Sequence, residues 1–401
     1  MALLAVEEAL ERVTAGIAPL ESELVAIETA YGRVLACDVS ARITHPPFDS
    51  SSMDGYAARL SDLVTLPQTL HVIGEAGAGH AFDGELKEGE AVRIFTGAPV
   101  PKGAESVVIQ ENTERQGDLV TVLEGGAQGD FIRPKGMDFK EGEALVGAGR
   151  RLTARDVALA VSTNNAEAQV RRRPRVAILS TGDELVPPGE TPRLDQIISS
   201  NAYGIAAIVE WAGAEAILTG IAKDTLESLG EMIERARYAD ILVTIGGASV
   251  GEHDLVQKAL EAHGLTLDFW KIAMRPGKPL MFGQMAGQRV LGVPGNSVSA
   301  LLCARLFLVP MIARLLGQAA EDTMPSTGEL GCDIEANGPR QHYMRANWTP
   351  RPGAIPLVAP VKDQDSSLLS LLAAADCLIV RAPNAPAAAK GERVPVMALD
   401  F

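Results

Sequence analysis

Ile241-Leu242-Val243-Thr244-Ile245-Gly246-Gly247-Ala248-Ser249-Val250-Gly251 joins an apolar, β-branched run to a glycine-rich turn. Two further turns of this kind, Arg275-Pro276-Gly277-Lys278-Pro279 and Val293-Pro294-Gly295-Asn296-Ser297, follow within a short span. A turn leaving the carboxyl end of a strand presents free backbone N–H groups, and these form an anion pocket when joined by Lys or a helix N-terminus. Three such turns, with Asp254, Lys271, Arg275 and Lys278 among them, point to a site for a phosphorylated ligand.

Around this stretch, from Arg175 to about Gly317, strands and helices alternate. Val176–Leu179, Ala216–Leu218 and Ile241–Ile245 read as strands, and Ser200–Ala212, Leu226–Ala236 and Leu255–His263 as helices. Such alternation predicts an α/β three-layer domain with a mostly parallel sheet, whose ligands sit outside the carboxyl ends of the strands. Further out the texture changes. Residues 46–145 carry short alternating runs, Leu70–Ile73, Ala91–Phe95 and Ser106–Ile109, broken by Gly, Pro and Asp, which predicts a β-rich inserted module. Residues 4–18 have helical spacing and Thr153–Ala160 reads as a short helix. These place a discontinuous linker region at 1–45 and 146–172, its first helix a candidate to pack on the α/β domain at 173–318. Arg171-Arg172-Arg173-Pro174-Arg175 reads as a solvated boundary between the two. Prolines and short strand-like pieces over 319–401 predict a small β-rich terminal domain.

At 401 residues the chain exceeds one hydrophobic core. Hydrophobic residues are 47% and charged residues 22%, an ordinary globular composition. A net charge of −15 argues against general affinity for nucleic acid or acidic membranes, so an anionic ligand must be held by local groups. Cys37, Cys303, Cys332 and Cys377 are scattered, without a C-x-x-C pair, which disfavours zinc or a disulfide framework and favours a reducing cytoplasm. The apolar runs Val298–Ala313 and Leu368–Val380 contain Arg305 and Asp376 and read as core rather than membrane spans.

The predicted strands empty into Ser180-Thr181-Gly182-Asp183-Glu184, into Gly220-Ile221-Ala222-Lys223-Asp224, and into the Gly246–Asp254 turn. Glu184, Asp224 and Asp254 converging beside phosphate-binding amides would suit Mg²⁺, which takes oxygen ligands and keeps several waters. The competing reading makes each a helix cap or turn residue, and Asp183 serves the fold in either case. Lys271, Arg275 and Lys278 form a cation cluster in a loop stiffened by two prolines, with a solvated charge run as the alternative. Asn296 or Ser297 would cap the helix from Val298 and leave amides for an anion; a purely structural cap explains that turn as well. No stretch matches G-x-x-x-x-G-K-[ST] or G-x-G-x-x-G, so P-loop and Rossmann readings drop.

Taken in order, Pro46-Pro47-Phe48-Asp49-Ser50-Ser51-Ser52-Met53-Asp54-Gly55-Tyr56-Ala57, Phe95-Thr96-Gly97-Ala98-Pro99-Val100-Pro101, Ser180–Leu185, Gly246–Gly251 and Pro276–Pro279 resemble the MoeA family of molybdopterin molybdenumtransferases, which also includes the gephyrin E domain. The likeness runs over nearly the whole chain. It implies a mixed linker region, the inserted β module, an α/β domain like the stand-alone molybdopterin adenylyltransferases, and a C-terminal β-barrel. It also implies a homodimer whose active site is shared between subunits, with possible contact to the adenylyltransferase. The implied reaction transfers molybdenum from molybdate, a co-substrate, to adenylylated molybdopterin with Mg²⁺ and releases AMP. A non-catalytic scaffold and an adenylyltransferase are the alternatives. By matching position, the resemblance points to Asp54, Thr96, Asp138, Glu184, Asp224, Asp254, Lys271 and Arg275 as catalytic. It points to Lys278, Pro294, Arg345 and Ser366 as substrate-binding, and the turns themselves add Gly246, Gly247, Ser249, Gly251, Gly295, Asn296 and Ser297. Arg275 stands where a lysine is common, and Ser297 where the family often has a second proline. From the residues alone, Asp54-Gly55 reads as a hairpin turn and Thr96-Gly97 as a strand end.

Overall fold

The computed structural model describes residues 3–247, 255–318 and 326–401. At its centre lies a six-stranded sheet built from β1 (Arg175–Thr181), β2 (Glu215–Ala222), β3 (Ile241–Ile245), β4 (Leu265–Trp270), β5 (Met281–Met285) and β6 (Gln288–Val293), in the order β2-β1-β3-β6-β5-β4. β1, β2, β3 and β6 are parallel, and β5 runs antiparallel to both of its neighbours. Two reversals return β4 to the common direction, so five strands end at one edge of the sheet.

The period-two alternation of strand side chains builds the three layers. Val176, Ile178, Ile241, Val243 and Ile245 enter one buried cluster with Ile205 and Ile208 of the helix Asn201–Trp211. Ala177, Leu179 and Leu242 enter a second, on the opposite face, with Leu229 and Ile233 of the helix Leu226–Ala236 and Val256 and Leu260 of the helix Leu255–Ala262. The continuous helical run Ser297–Leu315 has the length and apolarity of a membrane span, yet it lies in the first cluster and is 72% buried there. Its one buried charge, Arg305, pairs with Asp400 at 3.2 Å and lies over the Trp211 ring.

The N-terminal helix is shorter than its sequence pattern predicts. It spans Val6–Thr14 and ends because Ala15 turns extended before Gly16, at φ 66. Val6, Ala9 and Val13 pack into the α/β core. In the linker region Ser22–Ala26 pairs with Glu167–Arg171, and the helix Ala154–Ser162 is closed by a reciprocal Thr153/Asp156 capping box. The arginine-rich boundary is solvated only in part, with Arg173 and Arg175 exposed and Arg171 and Arg172 half-buried. Both Arg172 Nη groups donate to Asp240 at 2.9 Å, Arg172 also pairs with Glu21, and Arg171 donates to the Leu20 carbonyl. The boundary is therefore an ion-paired latch between linker and α/β domain.

The inserted module is a six-stranded sheet in the order Ser106–Ile109, Gly55–Ala58, Glu90–Ile94, Gln68–Ala76, Leu119–Val122, Thr113–Gln116. Gly55 is obligatory in it, since a Cβ there would lie 1.9 Å from the Val108 carbonyl oxygen. At the C-terminus Gln341–Arg351, Ala354–Pro360, Ser326–Leu330, Arg393–Ala398 and Cys377–Arg381 pair in succession, and the last pairs back to the first, closing a β-barrel. Met274–Arg275, leaving the α/β domain, adds a short strand to this barrel.

Candidate active site at the carboxyl edge of the sheet

Across the carboxyl edge, the strand order sets the rim residues in sequence: Asp224 beyond β2, Glu184 beyond β1, Gly246 and Gly247 beyond β3, Pro294 to Ser297 beyond β6, Lys278 ahead of β5, and Lys271 beyond β4. At the usual strand spacing these positions extend over about 24 Å. Glu184 and Asp224, with Lys223 beside them, occupy one end, and Lys271 and Lys278 the other. A ligand that engages both must be elongated.

At the acidic end, Asp224 Oδ1 accepts from the Thr181 hydroxyl at 2.8 Å, while the Asp224 amide donates to Asp183 Oδ1 at 3.3 Å. Asp183 thus holds the turn, as its sequence context predicts. Glu184 is exposed and its carboxylate folds back over Gly182, where an added Cβ would meet Glu184 Oε2 at 2.4 Å. Gly182 adopts φ 145, which favours glycine. Glu184 and Asp224 thus offer two solvent-facing carboxylates on adjacent strand ends. Among the described residues no three His, Cys, Asp or Glu side chains gather closely enough to hold a metal ion. Asp254, Ser249 and Gly251 lie outside the described residues.

The central turns are pinned to one another. Gly246, at φ 90, donates to the Val293 carbonyl, and a Cβ on it would sit 3.0 Å from the Thr181 carbonyl oxygen. Asn201 donates to the Gly295 carbonyl at 2.6 Å. Asn296 occupies the N-cap position of the helix from Ser297 but makes no capping hydrogen bond. Its amide donates instead to the Ser366 hydroxyl at 2.9 Å, and the Val298 amide donates to the Ser366 carbonyl. Ser366 therefore belongs at this turn although it comes from the barrel. Pro294 is buried beneath it.

At the basic end Lys271 adopts φ 84, a costly conformation for a side chain with a Cβ, worth about 1–3 kcal/mol. Its ammonium lies over the Trp270 ring at 5.4 Å, and the Ile272 amide donates to the Lys278 carbonyl, closing the loop. Lys278 is exposed. Arg275 leaves this group: it lies in the short strand on the barrel, in register with His342. Arg345 is 1% exposed and donates to the carbonyls of Asp363, Asp365 and Leu368. Its guanidinium shapes the loop that carries Ser366.

Asp54, Thr96 and Asp138 belong to the inserted module, with its own sheet and cores. Asp54 Oδ1 accepts from both the amide and the hydroxyl of Thr96, each at 2.8 Å, and these bonds hold the carboxyl below its usual range. Asp54-Gly55 is thus tied to Thr96 by specific bonds, beyond the turn that composition predicts. Asp138 lines a groove of about 420 Å³ together with Pro46, Phe48, Gly97 and Arg133. Sequence reasoning missed Asn201 and Thr181. Their signal was present, for Thr181 ends β1 and Asn201 opens a helix, but each acts on a turn distant in sequence.

A three-layer α/β domain with a charged carboxyl rim, joined to an inserted β module and a closed barrel, defines a multidomain protein whose candidate site runs along the sheet edge. Residues 4–163 match the MoeA N-terminal region (domains I and II), residues 177–314 a probable molybdopterin binding domain, and residues 327–399 the MoeA C-terminal region (domain IV). The molybdopterin molybdenumtransferase of Haemophilus influenzae is 34% identical over 381 residues, covering 94% of each chain. That of Nostoc is 39% identical over 334 residues, 81% of this chain and 76% of its own. The crystal structure of a molybdopterin biosynthesis MoeA protein from Pyrococcus horikoshii superposes with a TM-score of 0.85 at 31% identity, covering 100% of both chains. The chain belongs to the MoeA family.

Proposed function

We propose that the protein inserts molybdenum from molybdate into adenylylated molybdopterin, with release of AMP. The observation that carries this reading is the uneven rim: two solvent-facing carboxylates at one end, with Lys223 beside them, and Lys271 and Lys278 at the other, with glycine turns between. A molecule with two linked phosphates and bulky groups at both ends has the matching length and charge. The turn amides and Lys278 bind its phosphates, and Lys271 holds the far end.

Glu184 and Asp224 are hard oxygen donors on neighbouring strand ends and suit Mg²⁺, which takes one or two carboxylates and completes its shell with water and substrate phosphate. When bound, Mg²⁺ supplies charge neutralisation at the phosphoanhydride. The chain's own part is positioning: Thr181 fixes Asp224, Gly182 leaves room for Glu184, and Asn201 fixes the Gly295 turn. Breaking the anhydride is phosphoryl transfer, where positioning and neutralisation provide most of the rate, so no covalent nucleophile is required. Molybdate, a dianionic substrate, is drawn to the basic end.

Asp54, Thr96 and Asp138 stand on a separate sheet, and we assign them to the active site of a second copy in a homodimer. We place the reaction in the cytoplasm, in keeping with Cys37, Cys303, Cys332 and Cys377, all unpaired. The test is to incubate the protein with adenylylated molybdopterin and Mg²⁺, with and without molybdate, and follow AMP. AMP release coupled to molybdenum in the product supports the reading, and intact substrate after prolonged incubation overturns it.

A further inference from the structure

Within the inserted module, Asp54 precedes the strand Gly55–Ala58 and Thr96 follows the strand Glu90–Ile94, two antiparallel neighbours. The Asp54–Thr96 bond therefore joins two strand ends and depends on how those ends are held. Arg93 stands between them. It lies opposite Tyr56 in the pairing, and its guanidinium carbon sits 5.0 Å from the Tyr56 ring centroid and 4.9 Å from that of Phe95. Tyr56 follows shortly after Asp54 and Phe95 directly precedes Thr96, so the guanidinium packs over a ring from each chain beside the pair.

The guanidinium fork also fixes the backbone at Asp54. Arg93 Nη1 donates to the Gly55 carbonyl at 3.2 Å and Nη2 to Gln110 Oε1 at 2.7 Å. The Gln110 amide in turn donates to the Asp54 carbonyl at 3.1 Å, and Gln110 Nε2 donates to Glu111 Oε1 at 3.4 Å. One side chain thus holds two successive carbonyls, that of Gly55 directly and that of Asp54 through Gln110. A planar guanidinium makes both bonds at once, which an ammonium on a flexible stem does not. Arg93 is half-buried and forms no ion pair among the described residues, so charge pairing does not explain its place. Its charge still reaches the carboxyl: the Thr96 bonds first, then Arg93, hold Asp54 below its usual range.

We propose that Arg93 is a positioning residue for Asp54, its fork aiming the Asp54 carboxylate and the Thr96 hydroxyl at the substrate held by a second copy of the chain. This role rests on the assignment of Asp54 to the active site of that second copy. Arg93 touches no substrate; it acts through the Asp54-Gly55 turn. A small misplacement of a reacting or orienting group is enough to slow a reaction that depends on positioning.

The test compares two variants of the full chain. Arg93→Met keeps an apolar stem against Tyr56 and Phe95 and removes the donors and the charge; Arg93→Lys keeps the charge without the fork. Single-turnover AMP release from adenylylated molybdopterin, with Mg²⁺ and molybdate, is measured across substrate concentration. In Arg93→Met the rate at saturation is expected to fall about tenfold, with the half-saturating concentration within about twofold of wild type. Arg93→Lys is expected to regain less than about half of that loss. The Thr96 amide, which donates to Asp54 Oδ1, reads the geometry without turnover. Its NMR signal should move in Arg93→Met toward its position in Asp54→Asn while the Ala91 and Val92 amides stay as in wild type; a general loosening of the strand would move all three. An unchanged Thr96 signal in folded Arg93→Met overturns the proposal, as does an unchanged rate at saturation beside an active wild type. Full recovery in Arg93→Lys also overturns it, since charge alone would then suffice. A wild type that releases no AMP overturns the proposed reaction instead, and the Thr96 signal still decides whether Arg93 positions Asp54.

Discussion

At Gly182 one missing side chain decides where a carboxylate stands. Its φ of 145 is unfavourable for any residue with a Cβ, and that Cβ would occupy the space of Glu184 Oε2. Gly182→Ala therefore has two effects: about 1–3 kcal/mol of lost stability from the backbone, and displacement of Glu184 from the rim. We expect AMP release to fall by about tenfold or more while circular dichroism still reports a folded protein. Unchanged turnover in the folded variant would show that the Glu184 position is unimportant. Gly182 and Glu184 were legible in the sequence because the β-branched run, the glycine and the carboxylate are contiguous. The Thr181 bond to Asp224 was not, since it joins two separate strands.

At the scale of elements, the latch between linker and α/β domain contributes stability that depends on pH. Burial alone would raise the Asp240 carboxyl, but hydrogen bonds from Arg172 and from the Arg175 amide outweigh it and hold it below the ordinary 3.8. A depressed carboxyl contributes stability above its unfolded value and loses that contribution as pH falls through the folded one. Asp240→Asn is therefore expected to cost about 1–3 kcal/mol at neutral pH, the range for hydrogen bonds to charged groups. The gap to wild type narrows below about pH 3.8. Urea unfolding at several pH values measures both quantities, and a gap independent of pH would remove Asp240 ionisation from the account. Composition anticipated the exposed Arg173 and Arg175 but not the pairing of Arg172, because Asp240 and Glu21 come from other elements. Local signals did better: the strands at Ile241–Ile245 and Ser106–Ile109 and the helix Leu226–Ala236 stand where apolar spacing predicts them.

For the whole molecule, the rim was legible because strand ends in a parallel sheet share an edge whatever loops they carry. Its polarity was not. The order β2-β1-β3-β6-β5-β4 separates Glu184 and Asp224 from Lys271, and strand order is a nonlocal property. The barrel's hold on Arg275 was hidden for the same reason, as the two-residue strand Met274–Arg275 pairs with a strand from another domain. The segregation of Asp54 and Thr96 from the rim leads to a further prediction. If each site draws on two subunits, Asp54→Asn and Asp224→Asn proteins, inactive alone, will recover up to about a quarter of wild-type AMP release when their subunits are exchanged into mixed dimers. No recovery, with mixed dimers demonstrated by mass, would place both residues in one subunit's site.

The most direct measurement of the central claim is single-turnover AMP release by Asp224→Asn beside wild type, with adenylylated molybdopterin, Mg²⁺ and molybdate. The variant should still bind the nucleotide and still unfold cooperatively, yet release AMP about 10²-fold more slowly, a loss typical of an electrostatic group. A folded variant that turns over at the wild-type rate would show that the acidic end of the rim is not where the chemistry happens.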